Sequence, residues 1–391
     1  MDNYNTAFPQ IERPFAWLDL DALDQNIQYV NEACGHKQVR IATKSVRSVE
    51  VLQYVQKNLK YCSGFMTFTA EETLYLLEQG LDHLLLGYPI YEQQPLNHIA
   101  HYIAMGKDVT FMVDAPEQIA LLQKVAHYTN VTFQVCIDIN VSTDYKLLYF
   151  GTKRSPIDTE QAVTKLLQYI AHCKNIRVVG CMAYDAQIAG VTDKGDALLG
   201  VKSAFIAQLK KDALPKITKQ RQQIVTHVKH YHELQFINAG GTGSMALLKD
   251  ARDITEITVG SAFFAPALFS QYKTLALQPA VGFALRVTRK FADGIVVCHG
   301  GGYIASGAIG KDRLPQFLEP DVYQFTALEG AGEVQTPIIV KGRKHDIGDT
   351  IYLRHAKAGE LCERFNHLHA TRNGNYIGAI TTYRGDGQCF M

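Results

Sequence analysis

Three features of the sequence predict an α/β fold, a (β/α)8 TIM barrel followed by a C-terminal all-β domain. Short apolar runs alternate with helical periodicity over about 250 residues, the span typical of such a barrel. The runs are continuous rather than alternating in polarity, as expected of strands buried on both faces of a parallel sheet under helices. Past residue 270 the helical periods almost vanish, and short β-like runs separated by turn signals replace them. On the pattern alone, a doubly wound sheet is the second choice.

The elements follow in order. Residues 1–17 form an arm ending in Pro14-Phe15-Ala16-Trp17. Asp21 is positioned to N-cap a helix over 22–34. Arg40-Ile41-Ala42-Thr43-Lys44-Ser45 reads as the first barrel strand, ending on a lysine. Helical segments over 46–58, 70–80, 93–105 and 116–127 then alternate with strands over 64–69, 83–88, 108–114 and 132–138. A helix over 158–172 leads to strand six, 176–182, and a long helical region, 194–232, to strand seven, 234–238; strand eight is 256–260. The β-like runs beyond are 282–289, 294–297, 323–328, 336–340, 350–353 and 376–383. Ala292-Asp293-Gly294 and Arg372-Asn373-Gly374-Asn375 supply turns between them. The domains expected are 18–270 for the barrel and 271–391 for the β-domain, with the arm 1–17 packed on the latter.

The chain of 391 residues is long enough for a sizeable core and two domains. Its 47% apolar and 20% charged residues are ordinary for a globular protein. A net charge of +1 gives no electrostatic case for nucleic acid or an anionic membrane. No apolar run reaches the ~20 residues of a transmembrane helix, and the polar, acid-containing N-terminus does not read as a signal peptide. The eight cysteines are scattered without a CxxC pair, which fits a reducing cytoplasm and excludes a cysteine zinc cage.

Function in a barrel sits at the carboxyl ends of the strands. Lys44, ending strand one, points into the mouth. Burial there lowers a lysine's pKa and frees a neutral amine that can hold an aldehyde cofactor as a Schiff base. Strand seven runs into Asn238-Ala239-Gly240-Gly241-Thr242-Gly243-Ser244, and strand eight into Val259-Gly260-Ser261. Closely spaced glycines between strand and helix let backbone N–H groups approach a phosphate, and the Thr and Ser hydroxyls add donors. Loops after strands seven and eight are the usual barrel phosphate site. The glycines do not follow the first strand, so the dinucleotide-binding pattern is not met. A lysine opposite a phosphate anchor fits pyridoxal 5′-phosphate, whose ring is an electron sink for a carbanion.

These stretches resemble the fold-type III pyridoxal-phosphate enzymes (alanine racemase, D-threonine aldolase and D-serine dehydratase) over nearly the whole chain. Arg40…Lys44 resembles the R-x-x-x-K stretch of the aldolase/dehydratase branch, and 238–244 its phosphate loop. Met182-Ala183-Tyr184-Asp185-Ala186-Gln187-Ile188-Ala189-Gly190 and Tyr383-Arg384-Gly385-Asp386-Gly387 resemble the amino acid deaminase/aldolase subgroup. The resemblance implies that Lys44 is catalytic and binds the cofactor. It implies cofactor contacts for Arg40, Tyr184, Gly241, Thr242, Gly243, Ser244, Gly260 and Ser261. Arg154, after strand five, is a candidate for a substrate carboxylate through its bidentate fork.

Racemases of this superfamily place a tyrosine in the β-domain as second base, donated by the partner subunit in a V-S-Y-G-like stretch. The matching stretch here is Val297-Cys298-His299-Gly300-Gly301-Gly302-Tyr303, with His299 in the tyrosine's place and Tyr303 as the alternative. A histidine suits protonating a leaving group or activating a hydroxyl, which favours lyase chemistry. The aldolase/dehydratase branch also carries a divalent metal on an H-x-C or H-x-D pair. His355 matches the first ligand, but Lys357 stands at the second position, where an ammonium cannot ligate. Glu360, Cys362 or the pair His367 and His369 are the substitutes. Cys298 reads as a buried structural cysteine. The basic stretch Lys210, Lys211, Lys216, Lys219 and Arg221 reads as a solvated helix face, and 186–234 as a lid or dimer interface.

The expectation is a cytoplasmic, homodimeric pyridoxal-phosphate lyase acting on a small D-configured β-hydroxy amino acid, with a divalent metal as a second cofactor. The reaction is retro-aldol cleavage or dehydration with deamination. An amino-acid racemase with His299 as second base is one alternative. A non-catalytic carrier of the cofactor is the other, and the β-domain argues against it, since such carriers are typically a barrel alone.

Overall fold

The computed structural model describes residues 7–193, 200–308 and 310–391. Strands are numbered in chain order: β1 (Phe15–Asp19), β2 (Gln38–Ala42), β3 (Cys62–Thr67), β4 (Leu84–Leu86), β5 (Val109–Val113) and β6 (Phe133–Asp138). A small hairpin, β7 (Thr143–Asp144) and β8 (Tyr149–Phe150), precedes β9 (Ile176–Ala183), β10 (Phe236–Ala239) and β11 (Glu256–Val259). Eight of them close a parallel barrel in the order β10-β11-β2-β3-β4-β5-β6-β9. Each barrel strand is a short run buried on both faces, because helices cover the outside and side chains fill the inside.

The helices start where small polar residues can satisfy their free N–H groups. Ser48, Thr69 and Thr159 cap those over Val49–Asn58, Ala70–Glu78 and Glu160–Ile170. The helix Leu20–Cys34 is capped by Asp19, not by Asp21 as the sequence suggested. The reason is that β1 runs straight into the helix, leaving Asp19 extended with its carboxylate on the N–H groups of Asp21 and Ala22. The helical region after β9 is described over Gly200–Lys229, with Pro215 inside it; the expected start at 194 lies outside the described residues. Its basic face is not uniformly solvated. Arg221 is buried and pairs with Asp253 at 2.7 Å, while Lys210 pairs with Asp193 and Lys216 with Asp212.

Inside the barrel, Leu85, Met112, Cys136 and Met182 form an apolar layer flanked by Met66, Tyr184 and Phe236. Met66 and Met182 face the mouth, and Phe236 faces the floor.

The second domain is one mixed sheet built on β12 (Val281–Lys290), β13 (Ile295–His299), β14 (Gln316–Phe317), β15 (Tyr323–Phe325), β16 (Gln335–Val340), β17 (Thr350–Arg354), β18 (His367–Arg372) and β19 (Asn375–Thr381). Its order is β15-β16-β13-β12-β1-β18-β19, with β17 on β12 and β14 on β17. The N-terminal arm therefore does more than pack on this domain. Strand β1 lies within the sheet, antiparallel to β12 and parallel to β18, so Leu18 belongs with the sheet rather than with the barrel. Trp17 is fully buried there, and Gly282 is required opposite it, since a Cβ would come within 2.5 Å of the indole. Asn373 and Gly374, with φ of 50° and 73°, make the tight turn of the β18–β19 hairpin, as the Asn-Gly pair predicts.

Candidate active site

Strand β2 ends at Ala42, and a 3-10 turn over Thr43–Ser45 lifts Lys44 to the barrel mouth. Thr43 ties this turn to β3 by donating to the Met66 carbonyl at 2.9 Å, and Arg47 steadies it from behind through the Lys44 carbonyl. Lys44 is exposed in the mouth rather than buried, which corrects the sequence expectation. Its Nζ is oriented by a partner, donating to the Tyr88 hydroxyl at 2.7 Å.

Tyr88 stands just past β4, and Arg154 projects from the loop after β6. Arg154 donates from Nε to Asp138 Oδ2 and from Nη2 to the Gly87 carbonyl, both at 2.7 Å. Its guanidinium lies 4.9 Å from the Tyr88 ring centroid and 6.0 Å from that of Tyr184, a cation between two aromatic faces. Asp138, the Gly87 carbonyl and the Tyr88 hydroxyl thus hold the guanidinium, whose five donors outnumber these partners. Burial pushes the Tyr88 phenol up, but Lys44 and Arg154 together outweigh it and hold it below the usual tyrosine value. Burial also pushes Asp138 up to about 6, against the pull of Arg154.

The loops after β10 and β11 close the opposite wall. Thr242 Oγ1 accepts from the Ala262 N–H at 3.0 Å and ties the two loops together. Gly260 is required where β11 meets the lysine turn, because a Cβ would sit 2.7 Å from Ser45 Oγ and 2.8 Å from Ala42 Cβ. One cavity is lined by Lys44, Tyr88, Arg154, Tyr184, Gly241 and Thr242, with Asn238, Gly260 and Ser261 beside them. Gly243 and Ser244 stand behind that wall. A Cβ at Gly243 would be 2.6 Å from the Tyr272 ring, and Ser244 Oγ donates to the buried Asp185 at 3.1 Å. They shape the loop rather than line the cavity.

Arg40 does not reach the cavity, which corrects its expected place among the cofactor contacts. It points into the barrel floor and makes a bidentate pair with Glu256 at 2.7 and 2.9 Å. The apolar layer lies between it and the mouth. Asn238 bridges the levels: it donates to Glu256 and Thr258 at 2.7 and 2.8 Å and also lines the cavity.

His299 is exposed at the end of β13 and lies outside this chain's cavity. Tyr303 packs edge-on against Phe283 and Phe365 and lines a different pocket, with His355, Lys357 and Glu360. His355 is buried and donates from Nδ1 to the Val281 carbonyl at 3.1 Å; burial, reinforced by Arg354, pushes it down to about 3. A divalent metal does not fit here. Lys357 occupies the position of a second ligand, burial pushes the Cys362 thiol up to about 12, and no cluster of three metal-binding side chains exists among the described residues. His367 is exposed, and His369 packs against Phe15 and Tyr376. Cys298 is buried, its thiol likewise pushed up to about 12. In the terminal stretch resembling the deaminase/aldolase subgroup, Tyr383 is buried and donates to Glu72 at 3.0 Å, a clamp between the tail and the barrel.

A sequence model of the alanine racemase N-terminal domain matches residues 18–266. The chain belongs to that family. Three solved structures share its whole architecture. A D-threonine aldolase from Filomicrobium marinum superposes with a TM-score of 0.82 at 18% identity, over 98% of this chain and 97% of the other. A D-threo-3-hydroxyaspartate dehydratase from Delftia sp. HT23 gives 0.73 at 15%, over 96% and 98%. An alanine racemase from Bacillus anthracis with bound L-Ala-P gives 0.66 at 14%, over 97% and 100%. No curated protein matches the sequence. The cavity residues fit pyridoxal phosphate, the cofactor the sequence motifs imply: an amine on one wall, and on the other two joined loops whose glycines place no side chain toward the cavity. No described helix is long and apolar enough to cross a membrane.

Proposed function

We propose that the protein is a pyridoxal-phosphate-dependent lyase acting on a small D-configured β-hydroxy amino acid. The observation that carries the reading is the shared cavity of Lys44, aimed by Tyr88, and the joined loops at Thr242 and Gly260. Pyridoxal phosphate, when bound, supplies an electron sink for a carbanion at the substrate Cα. Lys44 holds the cofactor and moves a proton at Cα or at the β-hydroxyl. Gly241, Thr242, Gly260 and Ser261 bind the phosphate, with Gly243 and Ser244 shaping their loop. Arg154 binds a carboxylate through the donors that Asp138, Gly87 and Tyr88 leave over, while Asp138 and the two tyrosines fix its plane. Tyr88 keeps the lysine amine on the cavity side.

His299 acts at the β-substituent. Its exposure outside this chain's cavity means that the role requires a homodimer in which the β-domain of one copy covers the mouth of the other. Replacing the racemase tyrosine by this histidine favours carbon–carbon cleavage or dehydration over racemisation. The test is incubation of purified protein and cofactor with the D and L forms of threonine and serine, scoring aldehyde, keto acid and configuration. Aldehyde or keto acid from the D forms, abolished in Lys44→Ala, is expected. Inversion without either product would make the protein a racemase. Bound cofactor without turnover would make it a carrier.

A further inference from the structure

The pocket of the β-domain that holds Tyr303 and His355 has an internal charge arrangement that the proposed lyase chemistry does not use. His355 is 2% exposed. A backbone carbonyl can only accept, so the contact to Val281 fixes the proton on Nδ1 and leaves a lone pair on Nε2. That nitrogen is buried and has no hydrogen-bond partner, and His355 is among the residues lining the pocket. A buried lone pair beside a cavity calls for a cation or a donor.

The neighbouring side chains decide which. Lys357, two residues on, donates from Nζ to Ser306 Oγ at 2.9 Å and lies 3.4 Å from Glu360 Oε1. Ser306 in turn donates its N–H to Glu360 Oε2 at 2.9 Å and its hydroxyl to Oε1. The carboxylate of the cluster is thus already occupied by the serine and the ammonium. Glu363, on the same pocket, is held by Arg47. Arg364 and Arg384 add further positive charge to the lining. A divalent ion at His355 would find one neutral nitrogen and a ring of cations, with both nearby carboxylates engaged.

We propose that Lys357 supplies from the chain itself the positive charge that a divalent ion would bring to this pocket, so that the protein binds no metal there. The inference is read out by metal content and holds whichever reaction the barrel site runs. The test compares wild type with Lys357→Asp, which removes the ammonium and sets a carboxylate two residues from His355, where Glu360 is freed to join it. Both are incubated with excess Zn2+ or Mn2+, desalted, and analysed for metal per chain. Wild type should retain none in stoichiometric amount, and Lys357→Asp should retain close to one ion per chain, lost again when His355→Ala is added. A stoichiometric ion in the wild type would overturn the proposal. So would a Lys357→Asp protein that keeps its circular-dichroism spectrum and binds no metal. If that variant does not fold, the wild-type measurement decides alone.

Discussion

Replacing Arg40 by methionine separates the barrel floor from the barrel mouth. The guanidinium makes two bonds to Glu256, at 2.7 and 2.9 Å, and donates to the His83 and Phe65 carbonyls at 3.0 and 3.3 Å. Both ends are buried, with side chains 8% and 2% exposed. Methionine fills much of the volume but leaves the Glu256 carboxylate without its cation. Breaking one side of a buried pair costs about 3–5 kcal/mol, because the remaining charge is left in a poor solvent. Asn238 still donates to Glu256 at 2.7 Å, which puts the expected cost at the lower end of that range. For a folding unit of about 250 residues this corresponds to a fall in Tm of roughly 6–10 °C. Cofactor affinity, followed by absorbance titration below the transition, should stay within about twofold of wild type, a change of ~0.4 kcal/mol, since Arg40 does not line the cavity. The reasoning is refuted if Arg40→Met melts like wild type and loses cofactor tenfold or more. Arg40 would then contact the cofactor after all.

Two other outcomes follow from the same structure. In Gly260→Ala the new Cβ meets Ser45 Oγ at 2.7 Å, an overpacking of about 1–3 kcal/mol that the lysine turn must absorb, so cofactor affinity should fall roughly 5–150-fold; an unchanged titration would contradict the packing of β11 on that turn. Burial pushes Glu72 up to about 7 from 4.5, so the folded state holds its proton more tightly than the unfolded chain. Its contribution is full at and below about pH 4.5 and is lost as pH rises through about 7, at up to about 1.4 kcal/mol per unit. Glu72→Gln should therefore flatten the decline of the urea midpoint between pH 5 and 8, and parallel curves would show that Glu72 does not bind the proton.

What could be read from the sequence was what is encoded locally. The eight apolar runs of the barrel, the Gly-rich loops after β10 and β11 and the lysine after β2 each announce themselves within a few residues. The Asn373-Gly374 turn did so as well, because only such a pair adopts two successive positive φ angles at low cost. The misreadings turn on partners distant in sequence. Arg40 is drawn to the barrel floor by Glu256, 216 positions away, and Arg221 is buried because Asp253 meets it. Tyr88 and Asp138 are polar ends of apolar runs, and nothing in those runs says that Arg154 will join them in one network. Strand β18, His367–Arg372, mixes histidines with small residues and shows no clear alternation; it becomes a strand because β1 and β19 pair with it on either side. The unsuitability of Lys357 as a ligand was legible; its bonds to Ser306 and Glu360 needed the fold.

The most direct test of the account is the visible absorption of the purified protein loaded with pyridoxal phosphate, before and after borohydride, with the reduced adduct located by mass spectrometry. The account predicts a visible band that borohydride removes and a cofactor mass fixed on Lys44, both absent from Lys44→Ala. No band after loading, or an adduct on a different lysine, would contradict the assignment of Lys44 and with it the proposed chemistry of the barrel mouth.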